Sequence, residues 1–123
     1  MSEAKILIID DESADRKSIE RLLVREGFSP LAFAVSGVDG LEQARVFHPV
    51  IVIVDVVLPD MDGFDVCAAL KKEFAGQVSV IMLTGHLDAV NVQKARNSGA
   101  QEILEKKNGF PGLVKIIASL SQR

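Results

Sequence analysis

Four groups of polar residues stand at or near the ends of apolar runs: Asp10-Asp11-Glu12, Asp55, Thr84 and the pair Lys106-Lys107. Three carboxylates brought close together repel one another, and at least one of them has its pKa raised and takes a proton. A hard divalent cation relieves that repulsion. Mg²⁺ favours octahedral oxygen coordination, commonly from one or two carboxylates, several waters and a phosphate oxygen, so Asp10, Asp11 and Asp55 are candidate ligands. Nothing suits zinc, because the histidines are His48 and His86 and Cys67 stands alone. A lysine and a threonine hydroxyl facing such a cation would cover the equatorial oxygens of a phosphoryl group in transfer. A carboxylate can itself be the nucleophile, forming an aspartyl phosphate. Asp55 is the best candidate for that part, since it ends an apolar run with no acidic neighbour inside the run. Each feature alone is commonplace, for an aspartate at a strand end is ordinarily a turn or cap residue. The combination is what argues for chemistry.

Those residues can meet only if the elements before them deliver them to one place. Ile6-Leu7-Ile8-Ile9, Val50-Ile51-Val52-Ile53-Val54 and Val78-Ser79-Val80-Ile81-Met82-Leu83 are continuous, β-branched apolar runs, the pattern of parallel strands buried on both faces. Leu31-Ala32-Phe33-Ala34-Val35 and Ile103-Leu104 are weaker runs, expected nearer the edges. Between the runs the period becomes helical. Ile19, Leu22 and Leu23 share a face of a segment from about Ser13 to Glu26, which Gly27 ends. Val38, Leu41 and Ala44 follow Ser36, a plausible N-cap, with Pro49 beyond them. Phe64, Cys67, Leu70 and Phe74 make a third stripe before Gly76. Leu87, Val90 and Ala95, closed by Gly99, suggest a fourth helix. Phe110, Leu113, Val114, Ile117 and Leu120, with Asn108 as cap, suggest a fifth.

Five strand–helix alternations with short links predict a parallel sheet between helices in an α/β fold, as one unit over residues 1–123 without linkers or repeats. A doubly wound five-stranded sheet in the order 2-1-3-4-5 satisfies the right-handed crossover rule. Its crevice lies at the carboxyl ends of strands 1 and 3. Asp10, Asp11 and Asp55 then converge there, with Thr84 and a lysine along the far side.

Composition narrows the field further. With 14 Lys+Arg against 17 Asp+Glu, the net charge is −3, and there is no Trp or Tyr. A nucleic-acid binder relying on a basic face and stacking aromatics is not expected. An apolar fraction of 48% with 25% charged residues suits a soluble globular domain. A single cysteine forbids an intrachain disulfide and suggests a reducing, cytoplasmic setting. No apolar run is long enough to span a bilayer, so no membrane association is expected, and the N-terminus does not read as a signal peptide.

Taken together, Ile8-Ile9-Asp10-Asp11-Glu12, Asp55-Val56-Val57-Leu58-Pro59-Asp60-Met61-Asp62-Gly63, Met82-Leu83-Thr84-Gly85, Gly99-Ala100 and Lys106 resemble the receiver domains of two-component response regulators over nearly the whole chain. The resemblance implies a flavodoxin-like (βα)5 fold and a phospho-acceptor at Asp55. It further implies that Asp10, Asp11, Asp55 and the backbone carbonyl of Val57 hold Mg²⁺, with Thr84 and Lys106 following the phosphoryl group. The implied donor is a phosphohistidine on a sensor histidine kinase or a histidine phosphotransfer protein. The domain would assist its own modification without being a turnover enzyme. These 123 residues leave none for a DNA-binding domain, so the expected output is a downstream protein target or onward phosphate transfer.

Two positions depart from the family pattern. The family's lysine is usually followed by proline in a cis peptide bond, whereas Lys107 follows here. A non-proline cis bond costs about 2.5–4 kcal/mol, so a strained or rearranged turn is expected. The family usually has Tyr or Phe where Ile103 stands, an aromatic that couples the site to the surface of helix 4, strand 5 and helix 5. Coupling through Ile103 is expected to be smaller or differently routed. Val57 and His86 occupy the positions that flank the acyl phosphate and tune its lifetime in the family. Competing readings are a receiver-like module that docks a partner without phosphorylation, a Mg²⁺-dependent phosphatase with an aspartyl-phosphate intermediate, and a flavin binder. An acidic loop after strand 1 disfavours the last.

Overall fold

The computed structural model describes residues 4–121. Its strands are β1 (Ile6–Ile9), β2 (Leu31–Ala34), β3 (Ile51–Asp55), β4 (Ser79–Thr84) and β5 (Glu102–Glu105). They alternate with helices α1 (Ser13–Arg25), α2 (Gly37–Phe47), α3 (Gly63–Glu73), α4 (Ala89–Ser98) and α5 (Leu113–Ser121). The sheet is wholly parallel in the order β2-β1-β3-β4-β5, as the alternation of runs and stripes predicts. Among the described residues, no helix is long and apolar enough to cross a membrane.

Strand parity sorts the apolar runs into two cores. Leu7, Ile9, Val52, Val54, Val80 and Met82 face α2, α3 and α4, which contribute Ala44, Val66, Cys67, Leu70 and Ala95. Ile6, Ile8, Ile51, Ile53, Ile81 and Leu83 face α1 and α5 through Ile19, Leu23, Leu113 and Ile117. Unbroken hydrophobicity along β1, β3 and β4 is therefore a requirement, because alternate residues serve opposite layers. Each fully buried Ile or Leu contributes about 1.5–3 kcal/mol relative to exposure.

Helices depart from the expected stripes where small residues do the packing. α2 packs through Gly40 and Ala44 on the sheet side and Gly37 against Met61, while Val38 is mostly exposed. A Cβ on Gly40 would stand 2.4 Å from Ile9 Cδ1, so the glycine sets how near the helix comes. α4 begins after Leu87, and of its expected stripe only Ala95 is buried; Val90 points to solvent and Val92 takes the inner place. α5 starts at Leu113, and Asn108 does not cap it. Gly109 (φ 79°), Phe110 (φ 47°) and Gly112 (φ 86°) are left-handed, and Pro111 disfavours helix at the residue before it, so 108–112 form turns. Phe110 is buried nonetheless. The Lys106–Lys107 peptide is trans, the cis peptide among the described residues being Ser29–Pro30.

The segment after β3 is tied down at two points. Gly63 opens α3 so close to the strand that an added Cβ would meet the Asp55 carbonyl oxygen at 2.1 Å and Val56 Cα at 2.7 Å, and its N–H donates to the Val56 carbonyl (2.7 Å). Asp60 reaches over to the N-terminus of α2, where its carboxylate accepts from Gly37 N–H (2.8 Å) and Val38 N–H (2.9 Å). Ser36, the expected cap, accepts from Asp39 N–H (3.1 Å). α2 thus has two side chains satisfying its first amides.

Substituting Gly63→Ala forces backbone apart and is expected to destabilise the fold by about 2–3 kcal/mol, read as a lowered chemical-denaturation midpoint. Hydrogen bonds from the Val38 and Gly37 amides hold the Asp60 carboxyl below the usual carboxylate range. A depressed folded-state pKa adds stability above the unfolded value, and that stability is lost as pH falls through the folded value. Asp60→Asn should therefore melt below the wild type at neutral pH, with the gap closing below about pH 4.

Candidate functional site

Register alone places the acids. Ile9 pairs with Val54 and Asp55 with Leu83, while Thr84 pairs with Glu105. Asp10 therefore leaves β1 level with Asp55, while Thr84 stands one residue and Lys106 two residues beyond that row. Carboxylate oxygens of Asp10, Asp11 and Asp55 lie within 4.8 Å of one another. Asp10 and Asp55 are buried and Asp11 is exposed.

Asp10 is held rigidly. One oxygen, Oδ1, accepts from Glu12 N–H (2.9 Å), and the Asp10 carbonyl accepts from Arg16 Nη1 (2.7 Å). The other, Oδ2, is buried and has no hydrogen-bond partner; Lys106 Nζ lies 2.9 Å away but outside hydrogen-bonding alignment. A buried anionic oxygen left so is costly, and a donor set of three carboxylates suits a hard divalent cation. The residues present fit such an ion.

Lys106 is the counter-charge. Its Nζ donates to Asp55 Oδ2 (3.0 Å) and to Asp15 Oδ2 (2.7 Å), and its side chain is only 15% exposed. Burial disfavours the ammonium, but Asp15, Asp10 and Asp55 together outweigh it and hold the Lys106 pKa above the ordinary lysine value. Asp55 shows the reverse balance. Burial raises its pKa, Lys106 opposes the rise and the Asp10 charge adds to it. Of the two lysines, Lys106 reaches the site; Lys107 is exposed and lies 3.7 Å from Glu105.

Thr84 is buried at the end of β4 and stands on the opposite pleat from Asp55. Its hydroxyl donates to the His86 carbonyl (3.1 Å) and accepts from His86 N–H (3.2 Å), so it is engaged with its own loop. Asn91 braces that loop by donating to the same carbonyl (2.7 Å). Val57 donates its N–H to Asp55 Oδ1 at a long 3.4 Å, and its side chain is 74% exposed. His86 is exposed too, its Nε2 3.4 Å from Asp88. Ile103 is buried between β4 and α4.

Sequence reading overlooked Asp15, Arg16 and Asn91. An acid in the first turn of a helix ordinarily serves the helix dipole, and nothing local links Asp15 to a lysine 91 positions away. The Asn91 contact depends on how the loop after Thr84 folds back.

Comparison with known proteins agrees with this geometry. The response regulator receiver domain family matches residues 6–118. The transcriptional regulatory protein AfsQ1 of Streptomyces coelicolor is 37% identical over 101 residues, which cover 82% of this chain and 44% of that protein. This chain spans about half the length of the curated relatives it matches. Among solved structures, a CheY-like receiver domain protein from Methanospirillum hungatei JF-1 superposes with a TM-score of 0.86 at 30% identity, covering 98% of this chain and 96% of that one. A receiver domain protein from Clostridium thermocellum gives 0.87 at 34% identity, covering 98% and 95%. With sheet order, acidic crevice and these likenesses in accord, the chain belongs to the receiver domains of two-component response regulators, a family of signalling domains.

Proposed function

We propose that Asp55 accepts a phosphoryl group from a phosphohistidine on a sensor kinase or phosphotransfer protein, and that residues 1–123 act as one receiver unit. The observation carrying this reading is the buried crevice where Asp10 Oδ2 lacks a hydrogen-bond partner while Lys106 Nζ bridges towards Asp10 and Asp55. Asp10, Asp11, Asp55 and the Val57 carbonyl would hold Mg²⁺, which when bound neutralises the carboxylates and draws charge from phosphoryl oxygens.

In the transfer itself, an Asp55 carboxylate oxygen forms an O–P bond as the donor's N–P bond breaks. The electron pair stays on the imidazole nitrogen. Asp55 must be ionised to attack, and burial works against that, while the Lys106 ammonium opposes the rise in part. Lys106 then pairs with a phosphoryl oxygen, and the Thr84 hydroxyl gains one only by leaving the His86 carbonyl. That release alters the β4–α4 loop and gives modification a structural consequence. Because Ile103 is already interior and aliphatic, no ring swings inward there, and the change travels by the loop rather than by an aromatic switch. The signal passes to a downstream protein or onward by phosphate transfer. A single buried thiol, Cys67, is in keeping with a cytoplasmic, reducing setting.

Incubation with Mg²⁺ and phosphoramidate, followed by intact-mass measurement, tests the reading. One phosphoryl adduct is expected on the wild type and none on Asp55→Asn; Lys106→Met should slow its formation by about a hundredfold. Equal adduct on Asp55→Asn, or none on the wild type, overturns it. An exposed, apolar Val57 offers an attacking water no hydrogen bond, so hydrolysis should be slow. Val57→Asn is expected to shorten the adduct's lifetime severalfold. Unchanged decay in both Val57→Asn and His86→Ala would remove these two residues from the account.

A further inference from the structure

Lys106 shares Asp10 and Asp55 with the candidate cation site, and one ammonium cannot keep both contacts once those carboxylates are claimed. Its third partner lies outside that set. Asp15 Oδ2 is the shortest of the three contacts, at 2.7 Å against 2.9 Å to Asp10 and 3.0 Å to Asp55. Asp15 sits on the first turn of α1, about a third exposed, and with Lys106 it lines a cavity of about 450 Å³ between α1 and the 107–110 turn. The cavity gives the lysine head room to swing.

We propose that Asp15 is a positioning residue for Lys106: it takes over the ammonium when a divalent cation occupies Asp10 and Asp55, and keeps it beside the acceptor. This rests on the phospho-acceptor reading for its purpose, but not for its measurement. Without Asp15, the lysine has no partner except the two carboxylates the cation needs, so it competes with the cation directly. With Asp15, that competition is relieved. The ammonium also stays within reach of the oxygens that appear on Asp55.

A bare electrostatic effect would look different. Asp15 is one negative charge near a divalent ion, and its removal weakens cation binding through space whatever residue stands at 106. For a carboxylate about a third exposed in physiological salt, that contribution is about threefold or less. An effect relayed by Lys106 must vanish when the lysine is gone, which a double-mutant cycle detects.

Calorimetric titration of the full chain with Mg²⁺ alone, in the wild type, Asp15→Asn, Lys106→Met and the double variant, makes the test. Asp15→Asn is expected to weaken Mg²⁺ binding about tenfold with Lys106 present and no more than about threefold in the Lys106→Met background. Asp15→Glu, which keeps the carboxylate, is expected to recover most of the loss. Equal losses in the two backgrounds, no loss in either, or no recovery with glutamate would overturn the proposal. Thermal melting confirms that each variant is folded. If the wild type bound Mg²⁺ but formed no adduct with phosphoramidate, the phospho-acceptor reading would fall while the cycle still decided the part played by Asp15.

Discussion

Two carboxylates, Asp10 and Asp55, end adjacent parallel strands in register and sit buried above two apolar cores. Like charges so placed cannot both stay ionised without compensation, and most of the surrounding architecture serves that need. The compensating ammonium arrives from the end of β5, two strands from β3 and three from β1 in the sheet order. Only a long, flexible side chain spans that distance, which is why a lysine rather than a short polar residue stands at 106. Compensation by one ammonium is partial. It leaves Asp10 Oδ2 without a hydrogen bond and leaves the Asp55 pKa raised. The site's own residues thus leave its charge only partly compensated, which is what makes room for the cation and phosphoryl group of the proposed function.

The same constraint divides the rim of the crevice into a fixed and a movable half. Beneath the acceptor, Gly63 lets α3 touch the β3 backbone, and Asp60 ties the loop to α2. Asp55 thus cannot retreat when charge changes on it. On the far side the contacts are exchangeable. The Thr84 hydroxyl bonds to its own loop, and Lys106 divides itself among three acids. On the proposed reading, modification at Asp55 is absorbed by those partners. On the same reading, the loop after β4 is where a local charge becomes a change of shape.

What could be read from residues alone follows from which interactions are local or periodic. Strand order, both cores and the convergence of Asp10, Asp11 and Asp55 were legible, because continuous β-branched runs, helical stripes and short links leave few topologies. Caps at Ser36 and the helix stop at Gly99 were legible for the same local reason. α2 and α4 were misjudged on their inner faces. Ala44 and Ala95 pack inward as expected, but Gly37 and Gly40 stand where a hydrophobic count favours Val38, and Val92 takes the place given to Val90. The start of α5 was misplaced because apolar spacing continues through Phe110, whereas backbone chemistry at Gly109, Pro111 and Gly112 forbids the helix. Asp15 and Asn91 could not be found at all, since their partners are set by tertiary approach.

The Lys106–Lys107 doublet shows how one departure propagates. Where proline would constrain the turn, Lys107 permits an ordinary trans bond, and the Lys106 backbone N–H still donates to the Thr84 carbonyl at 2.7 Å. That bond anchors the lysine backbone to the same residue whose hydroxyl donates to the His86 carbonyl. The side chain, not the backbone, is then free to redistribute. A turn of Gly109, Phe110 and Gly112 follows, pinned by the buried Phe110 ring. The chain thus trades a constrained peptide for an anchored backbone and a buried ring. Lys106 ends with a fixed root and a head shared among Asp10, Asp15 and Asp55.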